Sequence, residues 1–94
     1  MPVEEIHWIE AADNYVRLHL AERVVLMREP LAHLVGRLDS ERFVRIHRSH
    51  AVAVERVVEL RSGARGDREL VLRGGMVLAV SRRFRADLNR ALGQ

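Results

Sequence analysis

The chain has 94 residues, 48% of them hydrophobic and 31% charged, which describes one folded domain with one modest core. No apolar run approaches the ~18 residues of a membrane span, and the absence of cysteine excludes disulfides, thiol nucleophiles and cysteine–zinc sites. The net charge of +3 is unevenly spread: residues 1–43 hold five arginines against eight acids, residues 44–94 eleven against five, and no lysine occurs.

The start, MPVEEIHW, is acidic and lacks an apolar signal region, so a cytoplasmic protein is expected. IHWIEA (6–11) places Ile6, Trp8 and Glu10 on one side of a strand and His7, Ile9 and Ala11 on the other. Asp13-Asn14 is a turn signal, and YVRLHL (15–20) alternates Val16, Leu18 and Leu20 against Tyr15, Arg17 and His19. After a short turn at Ala21-Glu22, AERVVLMR reads as a third antiparallel strand.

A short helix is expected near 29–38. Pro30 suits its first turn, and Leu31, Leu34, Val35 and Leu38 form one apolar stripe that Gly36 shortens to two or three turns. FVRI (43–46) and AVAVERVVELR (51–61) read as strands, and SGARGD (62–67) as a loop. RELVLR (68–73) and MVLAV (76–80) flank Gly74-Gly75, a hairpin signal. Ser81 can cap a C-terminal helix near 81–92, with Phe84, Leu88, Ala91 and Leu92 as its apolar stripe. The expected architecture is mostly β: about seven strands and two helices, the first three strands antiparallel.

FVRIHRSHAV (43–52) packs Arg45, His47, Arg48, Ser49 and His50 between apolar residues. A metal site would need three or four convergent ligands, and Arg48 beside His47 and His50 would repel a cation. Ser49 beside two histidines lacks a nucleophile elbow such as GxSxG, so neither an enzyme nor a cofactor is expected. A second polar cluster, Ser81-Arg82-Arg83-Phe84-Arg85, has a similar make-up. Arginine forks, hydroxyls and Asn14 are the types that hold phosphates and read base edges. The few aromatics favour duplex DNA over single strands. A rival reading is a protein-interaction module whose basic half docks an acidic partner.

Three segments, IHWIEAADNYVRLHL, FVRIHRSHAV and RGGMVLAVSRRFRADL, match in order the blocks I-x-x-I-E-A-x-x-N-Y, F-x-R-x-H-R-S and G-x-x-L-x-V-S-R. In these the chain resembles the LytTR DNA-binding domain of bacterial transcriptional regulators. The resemblance implies a mostly-β domain of small antiparallel sheets in an elongated arrangement, usually the effector end of a two-component response regulator, whose loops enter successive major grooves of promoter DNA. It places base contacts on Asn14, Arg48 and Arg82, and phosphate contacts on Arg17, His47, Ser49, Ser81 and Arg83. It also implies tandem half-sites in the DNA, no membrane partner, and an isolated domain that is monomeric or weakly associating. Two departures stand out. The chain starts at Met1-Pro2-Val3, almost on the first block, so residues 1–94 are read as a single such domain without its opening strand or strands. The family's Asn after the valine of the second block is Ala53 here.

Overall fold

The computed structural model describes residues 3–63 and 67–93. A 3-10 turn at Val3–Glu5 leads into β1 (Trp8–Ala12), β2 (Tyr15–His19), β3 (Val24–Met27), α1 (Leu31–Arg37), β4 (Phe43–His47) and β5 (His50–Ala53). A second 3-10 turn (Val54–Arg56) precedes β6 (Val57–Ser62), β7 (Arg68–Leu72) and β8 (Val77–Val80), and a third (Arg82–Phe84) opens α2 (Arg85–Ala91). The strands form a five-stranded sheet, order β3-β2-β1-β5-β4, and a three-stranded sheet, β6-β7-β8, all antiparallel. The long axis is 34 Å against 24 Å for the other two.

Local chemistry explains the turns. Ala12 pairs with Tyr15 across Asp13-Asn14, and Asp13 takes a left-handed φ of 57°, a conformation that Asp and Asn tolerate better than most residues. The Leu20 N–H donates to Arg23 O across Ala21-Glu22. Gly74 and Gly75 both sit at φ 95°, where a side chain would be strained. Their hairpin is wider than the two residues expected: Leu72 N–H bonds to Met76 O, leaving Arg73 through Gly75 as the connection.

The run at 51–61, expected as one strand, is two. Its first part, β5, belongs to the large sheet, and its second, β6, to the small one. The turn at Val54–Arg56 makes the crossing: Val54 N–H still bonds back to Arg42 O, whereas Arg56 O already receives Arg73 N–H from the end of β7. Alternation stops at the joint, where Glu55-Arg56 and then Val57-Val58 follow one another, and β6 carries a register shift between Val57 and Glu59. Among the described residues there are therefore eight strands. The loop expected at 62–67 lies partly outside the described residues, at 64–66.

Two apolar clusters fill the domain. One face of the large sheet, with Ile9, Val16, Leu18, Phe43, Ala51 and Ala53, packs against Leu31 and Leu34 of α1. The opposite face contributes Trp8, Val44 and Val52, which meet Leu70, Leu72, Leu78 and Val80 of the small sheet and Leu88 of α2. α1 is shorter than the expected 29–38, and Pro30 stands just before it with ψ 142°, outside the first turn. Glu29 clasps the helix from outside: its carboxylate accepts from Arg37 at 2.6 and 3.0 Å and from His33 at 2.8 Å. At the C-terminus the Ser81 side chain makes no capping bond, and a 3-10 turn occupies 82–84 before the α-helix begins. Phe84 leaves the expected apolar stripe; its ring lies under two guanidinium groups instead.

Candidate nucleic-acid interface

Backbone pairing carries three separate turns to one end of the large sheet. β1 runs between β2 and β5. Its C-terminal end turns at Asp13-Asn14, and its neighbour β5 begins right after Arg48-Ser49, with Glu10 opposite His50. The Ala11 N–H donates to Ser49 O at 2.8 Å, so the two turns lie side by side. The third joins through β4: as β8 ends, the Ser81 N–H donates to Ile46 O at 2.8 Å, two residues before Arg48. Asn14, Arg48 and Arg82, one from each turn, are all exposed.

A β-bulge shapes the middle turn. The register shifts between the pairs Arg45↔Ala51 and His47↔His50, leaving Ile46 as the extra residue. Ile46 is fully buried in the cluster shared with the small sheet. The inserted residue reverses the alternation of the strand, so His47 joins His50 and Trp8 on one face while Arg45 stays with Ala51 on the other. Ser49 N–H donates to His47 Nδ1 at 3.1 Å. With Nδ1 accepting, the ring proton sits on Nε2, which is left to donate outward.

Arg45 closes the turn from the opposite face. Its Nη2 donates to Arg48 O at 2.6 Å and its Nε to His47 O at 3.3 Å. Its guanidinium lies 5.3 Å above the centroid of the Phe84 ring, and Arg83 lies at the same distance from that ring. Burial first, and the neighbouring Arg83 charge second, lower the Arg45 pKa from its ordinary value.

On the Trp8 face, aromatic groups form a row. His19 stacks on Trp8, His50 meets the Trp8 ring edge-on at 5.6 Å, and His47 lies 5.1 Å from His50. His50 is held below its ordinary pKa, by burial and then by His47, and its buried Nδ1 has no hydrogen-bond partner among the described residues.

The phosphate candidates fall into two groups. His47, Ser49, Ser81 and Arg83 cluster around the second and third turns; the first three are half-buried and Arg83 is exposed. Arg17 sits apart, on strand β2 rather than in a loop, with Nη1 3.5 Å from Glu10 Oε1. Phe84 lies far along the chain from Arg45, so the sequence alone gives no sign that Arg45 ties the second turn to the third. Among the described residues, no group of three His, Asp or Glu side chains converges as metal ligands, and no helix is long and apolar enough to cross a membrane.

A model of the LytTr DNA-binding domain matches residues 1–93. The chain belongs to the LytTR family. The LytTR domain is 42% identical over 96 aligned residues to the positive alginate biosynthesis regulatory protein of Pseudomonas aeruginosa; the match covers all of this chain and 38% of that regulator. The chain thus spans well under half the length of its curated relative. A solved LytTr DNA-binding domain from a Bacillus cereus response regulator superposes with a TM-score of 0.89 at 21% identity, covering all of this chain and 86% of the other. That likeness confirms the two-sheet fold. LytTR domains are the DNA-binding parts of bacterial transcription regulators and are not enzymes.

Proposed function

We propose that this LytTR domain reads double-stranded promoter DNA through its three clustered turns, as the effector part of a cytoplasmic bacterial response regulator. The supporting observation is the convergence of Asn14, Arg48 and Arg82 at one end of the sheet through the Ala11–Ser49 and Ser81–Ile46 backbone bonds. In this reading those three residues meet base edges in successive major grooves. Arginine forks suit guanine, and an asparagine amide suits adenine. His47, Ser49, Ser81, Arg83 and Arg17 meet phosphates, which sets register and supplies the salt-dependent part of binding. The excess of arginine in the second half of the chain provides the electrostatic attraction. The isolated domain is monomeric or weakly associating, and two copies occupy tandem half-sites.

The test begins with selection of duplexes from a random library. Arg48→Ala and Arg82→Ala are then compared on the selected duplex and on a scrambled one. Each is expected to lose about 5- to 150-fold on the selected duplex, the range of one bidentate contact, and much less on the scrambled one. Equal losses on both duplexes would remove base reading from these residues.

A further inference from the structure

We propose that Arg45 is a positioning residue for DNA recognition: it sets where Arg48 stands relative to Arg82, without itself touching the DNA. The inference rests on the base-reading roles proposed above.

Arg45 lies on β4, the edge strand of the large sheet, on the face opposite His47. Its guanidinium makes two kinds of contact, one to each of two turns. Toward the Arg48-Ser49 turn it donates to the carbonyls of His47 and Arg48. One oxygen belongs to the last residue of β4 and the other to the two-residue connection, so the guanidinium ties the turn to the strand that leads into it. Toward the third turn it stacks on Phe84, the last residue of the 3-10 turn that carries Arg82 and Arg83.

A planar fork is needed for both contacts at once. Its Nε and Nη2 donate to two different carbonyls while its central carbon stays over the Phe84 ring, a spread of contacts that the point charge of an ammonium group does not reproduce. Arg83 lies over the same Phe84 ring. Two like charges so close would separate unless held, and the carbonyl oxygens beneath Arg45 offset that repulsion. The Ser81–Ile46 backbone bond fixes the third turn at its start; Arg45 and Phe84 fix it at its end. The side chains of Arg48 and Arg82 are exposed, so their spacing depends on the backbones that Arg45 joins.

The experiment uses the selected and scrambled duplexes, with thermal melting of each variant alongside. Arg45→Lys keeps the charge but loses the fork and the stacking. It is expected to weaken binding to the selected duplex by about tenfold, a coupling of ordinary size between contacting residues. Scrambled-duplex affinity and the log–log salt slope should stay at the wild-type values. In an Arg48→Ala background the same change should cost less than about twofold, because the residue it positions is gone.

Phe84→Leu retains apolar bulk and removes the ring face. It should show the same pattern at smaller size, and it keeps the idea testable if Arg45→Lys melts far below wild type. Equal losses on both duplexes, or a fall in salt slope, would make Arg45 a direct phosphate contact and overturn the proposal. So would an undiminished loss in the Arg48→Ala background, or binding by both Arg45→Lys and Phe84→Leu within about twofold of wild type. Should Arg48→Ala and Arg82→Ala themselves show no selective loss, the parent reading fails, and that outcome is visible before Arg45 is varied.

Discussion

The imidazole of His19 is held between Glu10 and Trp8: its Nε2 lies 3.0 Å from Glu10 Oε1, and its ring lies flat on the indole at 4.0 Å and 6°. Trp8 and His19 are cross-strand partners on β1 and β2, so register alone brings the rings together. Arg17 approaches the same carboxylate from two positions away on β2.

Glu10 is the acid-sensitive member of this group. Its pKa is lowered from 4.5, first by the His19 hydrogen bond and further by the His19 and Arg17 charges, against an opposing effect of burial. A depressed carboxylate adds stability above its unfolded value and loses it as pH falls through the folded value. Glu10→Gln is therefore expected to cost about 1 kcal/mol at neutral pH. The difference from wild type should shrink as pH drops below 4.5. Urea unfolding across a pH series checks this; a difference that stays constant into acid would refute it.

His50 works in the other direction. Its pKa is lowered from 6.5 by burial and by His47, so below 6.5 the unfolded chain binds the proton more readily than the folded one. Stability then falls as the solution is acidified through that range. His50→Gln should flatten this fall in melting temperature. Part of it should remain, because burial and Arg56 also lower the pKa of His7. An unchanged pH profile in the variant would show that His50 is not the source.

Arg83 and Arg17 should differ in how they shape the salt dependence of DNA binding. Arg83→Ala is expected to reduce the log–log slope by about one, the loss of one phosphate contact. Arg17→Ala should reduce it less, since Glu10 already neutralises part of its charge. Affinity measured across a salt titration checks both; equal slopes for Arg83→Ala and wild type would remove Arg83 from the contact list.

Leu88 supports the third turn from behind. It is fully buried on α2, which packs against β4, and α2 has only seven residues, too few to persist without packing. Leu88→Ala should destabilise the domain by about 2–5 kcal/mol in urea unfolding. A loss under about 1 kcal/mol would mean that the site collapses to refill the cavity.

Much of this was legible in the residues. The alternation of 15–20, the Asp13-Asn14 turn, the α1 stripe and the paired glycines each record a local rule, and each element formed there, α1 shorter and the glycine hairpin wider than expected. What failed to show depended on distant partners. Glu55-Arg56 interrupts the alternation of 51–61, but such a break reads the same whether a strand bulges or changes sheet, so the crossing did not show. The bulge at Ile46 depends on what β5 places opposite it. Phe84 fits a helical stripe in sequence, and only the approach of β4 puts Arg45 and Arg83 on its ring. The three candidate base contacts were identified by motif, but their meeting at one end follows from strand order, which no single segment encodes.

That strand order also bears on when a recognition surface exists. β1 and β2 close a local hairpin, which forms quickly and carries Asn14 with it. Pairing β1 with β5 means closing about forty residues of chain between Trp8 and Val52, a slow, non-local event. The third turn docks on β4, which pairs with β5, so the three turns meet at one end only when β1 and β5 have paired. A half-made chain emerging from the ribosome can thus hold the hairpin but not the assembled surface. In the proposed reading, selective contact with an operator therefore requires the completed large sheet, which the β1–β2 hairpin alone does not supply.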